Sequence, residues 1–153
     1  MYLPSPPARQ CASELLADEG LMLTTETLEN VRIHSALMPY SAEAWWKRAV
    51  LRVATRRRIA GIALGLDVHF AHPAHLNNWP LVMHELAHVA QYAAQGVPAF
   101  LASYSFEYLR GRWNGKDDYR AYLDLSAEAQ ARRVEAAAHE RLPPTSPWLV
   151  ACS

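Results

Sequence analysis

An apolar segment at residues 81–95 contains two histidines and a glutamate, and this combination constrains the fold more than any other feature of the chain. Pro80 suits the first turn of a helix, and Gly96 suits a helix end. The pattern predicts a helix from about Leu81 to Gln95 that is buried around most of its circumference. Burial of bare ionisable groups is costly, so those in this helix require partners.

The ionisable residues of this helix follow the pattern HExxH, with His84, Glu85 and His88. Histidines at positions i and i+4 share one helix face and can bind one zinc ion at about 2.0–2.1 Å. Glu85 is then placed to take a proton from a water that the metal activates. An ordinary amphipathic helix with two exposed histidines is the alternative. The apolar flanks, the preceding strand-like segment and the downstream acidic residues favour the metal site.

A catalytic zinc site needs a third protein ligand and one open position. The longer pattern HExxHxxGxxH, in which that ligand is a histidine, is absent because Gln91 and Ala94 occupy its glycine and histidine positions. This excludes a metzincin. The remaining candidates are acidic residues on later helices.

Two glutamates are candidates for the third ligand. Glu107 follows His88 by 19 positions, a spacing seen in aminopeptidase-like gluzincins, and Glu128 follows it by 40. Glu128 begins an E-x-x-A pattern, in which Ala131 would let its helix pack closely against the HExxH helix. This local context favours Glu128, while sequence distance favours Glu107.

The remaining chain predicts an α+β fold, in which a small sheet packs on the HExxH helix with further helices on its N- and C-terminal sides. Apolar periodicity and turn residues predict these elements: a helix at 12–21, a strand at 31–35, a helix capped by Ser41 and running through Val53, a hairpin within 58–71 bent at Leu64-Gly65, a helix from Pro98 to 110–111, a helical turn at 119–123 within a loop, and a helix at 127–141 capped by Ser126.

Length and composition predict one domain. The chain has 153 residues, of which 51% are hydrophobic, so it can bury a single core. We expect a flexible Pro-rich arm at 1–10, a domain at 11–145 and a tail at 146–153. The formal net charge is zero, which argues against a nucleic-acid partner.

Targeting signals are not evident in the sequence. The first residues lack a basic region followed by an apolar stretch, and the apolar stretch at 59–71 is too short and too polar to span a membrane. We therefore expect a cytoplasmic protein, with export by a non-classical route left open. The sequence does not indicate an oligomeric state.

The stretch LVMHELAHVAQY at 81–92, together with Gly96, the YLRG sequence at 108–111, Tyr122 and EAQA at 128–131, resembles a family of short bacterial gluzincin-like zinc peptidases. That family is classed as a domain of unknown function and is often found beside contractile injection systems and polymorphic toxins. Residues 31–34 and 64–70 are similar to its upstream strands.

The resemblance implies a zincin-like domain with His84, His88 and Glu128 as zinc ligands and Glu85 as the catalytic base. It also favours Tyr122, over Tyr119 or Tyr104, as the donor that stabilises the developing oxyanion. The family often shows a second glutamate where this chain has Gln130. That difference leaves the ligands intact but removes a carboxylate from their surroundings.

Other polar residues suggest supporting roles. His69, His72 and His75 could line the cleft or form a second metal site, although a loop with a proline between histidines is more often simply polar. Gln91 could bond a backbone group or a water beside the metal. Cys11, on a mobile arm, could cap the zinc and keep the enzyme latent.

Two functions remain open at the level of sequence. The first is a zinc metallopeptidase whose peptide or protein substrate pairs with an edge strand between Ile62 and Phe70. The second is a zinc-binding but proteolytically inactive accessory or toxin-associated module, because 153 residues leave little room for a substrate-shaping second domain.

Overall fold

The computed structural model describes residues 1–35, 59–141 and 149–151, which form an α+β fold as the sequence predicts. The elements of these residues are β1 (Tyr2–Pro4), α1 (Pro6–Asp18), α2 (Thr25–Glu29), β2 (Arg32–His34), β3 (Gly61–Leu64), β4 (Asp67–Phe70), a 3₁₀ helix (Pro73–Asn77), α3 (Trp79–Gln95), α4 (Val97–Trp113), α5 (Asp118–Leu123), α6 (Ser126–Arg141) and β5 (Leu149–Ala151).

The strands form a mixed sheet with the order β3-β4-β2-β1-β5. Strands β2 and β4 are parallel, with Ile33 opposite Val68, and the remaining pairs are antiparallel. Strands β3 and β4 form the predicted hairpin, because Gly65 adopts a φ of 70° that a tight turn needs. Ile33, Ala63 and Val68 are buried, so one face of the sheet lies on the core.

Both ends of the described chain belong to this sheet: residues 2–4, within the expected arm at 1–10, and residues 149–151, within the expected tail at 146–153, are strands. Residues 2–4 pair with β2 on one side and with residues 149–151 on the other. Ser5 caps α1, and Pro6 and Pro7 occupy its first turn, where the fixed φ of proline favours a helix. The prolines therefore mark a helix start.

Cys11 lies within α1 and is partly buried against the core, so the structure does not place it on a mobile arm. A zinc-capping role for Cys11 is therefore not supported. The predicted helix that is capped by Ser41 and runs through Val53 lies outside the described residues.

Helix α3 runs through the centre of the molecule and is buried from Val82 to Tyr92. It begins at Trp79, two residues before the predicted start, because the side chain of Asn78 accepts a hydrogen bond from the Leu81 amide at 3.4 Å. Helix α6 is its most extensive neighbour, and β3 packs beside it. These contacts put residues of α6 and β3 against the HExxH face.

Helix α6 begins differently from the prediction. Ser126 is its first residue rather than a cap, and both its amide and its hydroxyl donate to the Glu107 carboxylate at 2.7 Å. A side chain from α4 thus satisfies an amide that the helix start leaves without a partner. None of the helices in the described ranges is long and apolar enough to cross a membrane.

Candidate metal centre

Helix α3 presents His84 and His88 on one face, and α6 brings Glu128 opposite them. His84 Nε2 lies 3.4 Å from Glu128 Oε2, and His88 Nε2 lies 3.4 Å from Glu128 Oε1. One ligand atom from each residue can be chosen so that all lie within 4.8 Å of one another. Their exposed fractions are 8%, 8% and 3%. This buried group could hold a metal ion.

The second nitrogen of each histidine has a partner of its own, which leaves both Nε2 atoms for a metal. His84 Nδ1 lies 3.0 Å from Glu135 Oε2, and His88 Nδ1 lies 2.8 Å from Gln91 Oε1. Such partners fix the orientation of a ligand ring and its tautomer. Two imidazole nitrogens and one carboxylate oxygen make up a donor set that suits zinc.

Gln91 is itself held in place. Its Nε2 donates to the Ala127 carbonyl at 3.0 Å and to Gln130 Oε1 at 3.1 Å, and Gln130 Nε2 donates in turn to the Glu19 carbonyl at 3.0 Å. These bonds orient the amide so that its oxygen faces His88. Gln130 contributes here as an amide that both accepts and donates.

Glu128 receives a hydroxyl on each of its oxygens. Tyr104 donates to Oε1 at 2.9 Å, and Tyr122 donates to Oε2 at 2.7 Å. Burial raises the pKa of a carboxyl, but for Glu128 the contacts with His84, His88 and Tyr122 outweigh it and lower the pKa. The carboxylate is therefore ionised at neutral pH, as a metal ligand must be.

The same interactions raise the pKa values of the two histidines. Burial disfavours the protonated form of His84, but contact with Glu128 and Glu135 outweighs it and raises the pKa to about 9. The pKa of His88 is also raised, since Glu128 and Glu85 outweigh its burial. In the absence of a metal, the neighbouring carboxylates thus favour the protonated form of both histidines.

Glu85 points toward strand β3 and is only 4% exposed. A Cβ on Gly61 would lie 2.8 Å from Glu85 Oε1, so the missing side chain of that glycine makes room for the carboxylate. The backbone of Ala63 provides one hydrogen bond, whereas Oε2 is buried and has no hydrogen-bond partner among the described residues. Burial raises the pKa of Glu85 although His88 and His84 oppose the shift.

Several candidate residues lie elsewhere. Glu107 bonds Ser126, and Tyr119 is 69% exposed on α5. His75 lies on the 3₁₀ helix and His72 caps its start, whereas His69 is buried in β4, stacked on the ring of His34. The structure therefore brings Glu128, not Glu107, to the histidines, and the described residues show no second histidine cluster that could hold a metal.

Glu135 is the residue that the sequence analysis missed. It follows Glu128 by seven positions on α6, which puts both carboxylates on one helix face. This spacing of seven residues within one predicted helix could have indicated that Glu135 lies near the same site as Glu128.

No protein-family model, curated protein or solved structure matches this chain. The interpretation of the site therefore depends on its own residues.

Proposed function

We propose that this protein is a zinc metallopeptidase that hydrolyses peptide bonds with Glu85 as the general base. The observation that carries this proposal is the buried Glu85 Oε2, which has no hydrogen-bond partner in the described residues. Its carboxyl interacts electrostatically with all three residues of the His84–His88–Glu128 ligand set. A buried carboxylate oxygen without a partner is costly, so its retention next to a metal-binding group favours a role in proton transfer.

Bound zinc would supply a Lewis acid that polarises a carbonyl and lowers the pKa of a water. Glu85 would accept the proton of that water and later deliver it to the leaving amine.

Tyr122 is our proposed donor to the developing oxyanion. Its hydroxyl lies 2.7 Å from Glu128 Oε2, and the residue is 37% exposed, so the hydroxyl is close to the ligands and the ring is accessible from solvent. A phenol at this position could donate to a carbonyl oxygen that approaches the metal.

The substrate is proposed to pair with β3. This strand is at the edge of the sheet in the described part of the chain, while β4 lies between β3 and β2 and has no free edge. The substrate-binding edge that the sequence predicted between Ile62 and Phe70 is therefore limited to β3. Gly61 approaches Glu85 in space, and Ala63 provides its backbone hydrogen bond, so a peptide along β3 would pass next to the base.

The test replaces Glu85 with glutamine. Glu85→Gln preserves the size of the side chain and is expected to keep one zinc per chain while lowering peptide cleavage by about 10²–10⁴-fold. Zinc content by elemental analysis and cleavage of an unfolded protein such as casein are measured together. Glu107→Gln serves as the matched control and should retain both. Unchanged cleavage in Glu85→Gln would rule out the proposed mechanism.

A second candidate is a zinc-binding module without proteolytic activity. The low exposure of all three ligand residues favours it, because structural zinc sites are closed whereas catalytic sites keep an open position. The same experiment distinguishes the two functions. A zinc-loaded wild-type protein that cleaves neither casein nor itself supports the binding module.

A further inference from the structure

The carboxylate of Glu128 is held by two tyrosines in a nearly symmetrical arrangement. Oε1 faces Tyr104 and His88, and Oε2 faces Tyr122 and His84. A monodentate metal ligand uses one oxygen, so the other can keep a hydrogen bond that fixes the orientation of the carboxylate. Either phenol could therefore fix the orientation of Glu128. The packing around each tyrosine indicates which one does so.

Tyr104 is supported by packing. It lies on the 17-residue helix α4, and its ring is 5.8 Å from that of Phe100. Phe100 is itself buried, with its ring 4.2 Å from Tyr92 and 6.3 Å from His88. Tyr104 is thus part of a group of packed aromatic rings that joins α4 to α3, the helix that carries the histidines.

Tyr122 has less support. It lies on the six-residue helix α5 and is 37% exposed. Short helices derive little stability from their own hydrogen bonds, so the helix that carries this ring is held mainly by its packing. Its hydroxyl can leave Glu128 at a smaller cost in packing than that of Tyr104.

We propose that Tyr104 is a positioning residue that holds Glu128 in the geometry needed to bind the metal, whereas the bond from Tyr122 is dispensable for metal binding. The proposal rests on the metal-binding part of the proposed function and does not require peptide cleavage. Removal of a partner that orients a ligand typically weakens metal affinity 10–100-fold.

The test compares Tyr104→Phe with Tyr122→Phe, which each remove one hydroxyl and keep the ring. Zinc affinity is measured by competition with a chromophoric chelator, and the absorption spectrum of the cobalt-substituted protein reports the ligand geometry. We expect Tyr104→Phe to weaken zinc affinity 10–100-fold and to alter the cobalt bands. Tyr122→Phe should change affinity less than about 3-fold and leave the bands unchanged, because its bond is not needed to orient Glu128.

The thermal midpoints of the metal-free variants control for general destabilisation. If Tyr104→Phe does not fold, Phe100→Leu tests the same support with the hydroxyl retained, and the expected result is a smaller loss of affinity in the same direction. Equal effects of the two tyrosine variants, or unchanged affinity in Tyr104→Phe or in Phe100→Leu, would overturn the proposal. A Tyr104-specific loss of affinity in a protein that cleaves no peptide would confirm the positioning role and reject the peptidase.

Discussion

The two halves of the candidate metal centre are built in different ways. One half lies within five consecutive residues of α3, where helix geometry alone puts His84 and His88 on one face. The other half is drawn from α4, α5 and α6, and its members extend from Tyr104 to Glu135. The comparison shows that helix periodicity orients two ligands, whereas tertiary packing supplies the third ligand and most of its supporting bonds.

The histidines show the same contrast in their supporting contacts. The Nδ1 partner of His88 is Gln91, three residues along the same helix. The Nδ1 partner of His84 is Glu135, which is 51 positions away on α6. The direct partner of His88 therefore lies on its own helix, although α6 holds that partner in place, whereas the direct partner of His84 lies on α6 itself.

Replacement of Glu128, the ligand that tertiary packing brings to the histidines, should lower zinc affinity the most. Glu128→Gln leaves two histidines and a neutral amide in the ligand set, so zinc affinity should fall by well over 100-fold, more than when a supporting partner is removed. Glu107→Gln should keep full zinc stoichiometry, since Glu107 bonds only the start of α6 among the described contacts. Zinc content after dialysis checks both variants. Zinc loss in Glu107→Gln with retention in Glu128→Gln would reverse the assignment.

Removal of the partner of His84 should have an intermediate effect. Glu135→Gln replaces a carboxylate with a neutral amide and should weaken zinc affinity 10–100-fold. Glu140→Gln, an exposed site on the same helix, is the matched control and should have no effect. Chelator competition measures both. Equal affinities in the two variants would show that the packing of α6 contributes only Glu128 to the centre.

A change on the β3 side should have the smallest effect on metal binding and should act on the base instead. In Gly61→Ala the new methyl group would meet Glu85 Oε1 at 2.8 Å and Phe70 at 2.9 Å, so the carboxylate or the ring must shift. We expect a loss of about 1–3 kcal/mol in the free energy of unfolding and lower cleavage, with zinc stoichiometry unchanged. Thermal unfolding and casein cleavage measure these effects. Ile62→Ala, at the adjacent position whose side chain points to the other face of the strand, provides the comparison for cleavage and should preserve it.

The sequence predicted the parts of the structure that depend on local pattern. Helix α3, the β3–β4 hairpin, α5 and the extent of α6 follow from periodicity, prolines and turn glycines. It did not predict that residues 2–4 would pair with residues 149–151, because strand pairing across the length of the chain leaves no local signal. The role of Glu107 at the start of α6 was hidden for the same reason.

The sequence by itself determined that two histidines and a glutamate share a buried helix, because the spacing of side chains on a helix is fixed by its 3.6-residue turn. Only the tertiary structure decided between Glu107 and Glu128 as the acidic residue that faces them. Both glutamates lie on later helices, and what distinguishes them is how those helices pack. The packing of α6 against α3 places Glu128 and Glu135 around His84, while Glu107 remains on α4 and satisfies the first amide of α6.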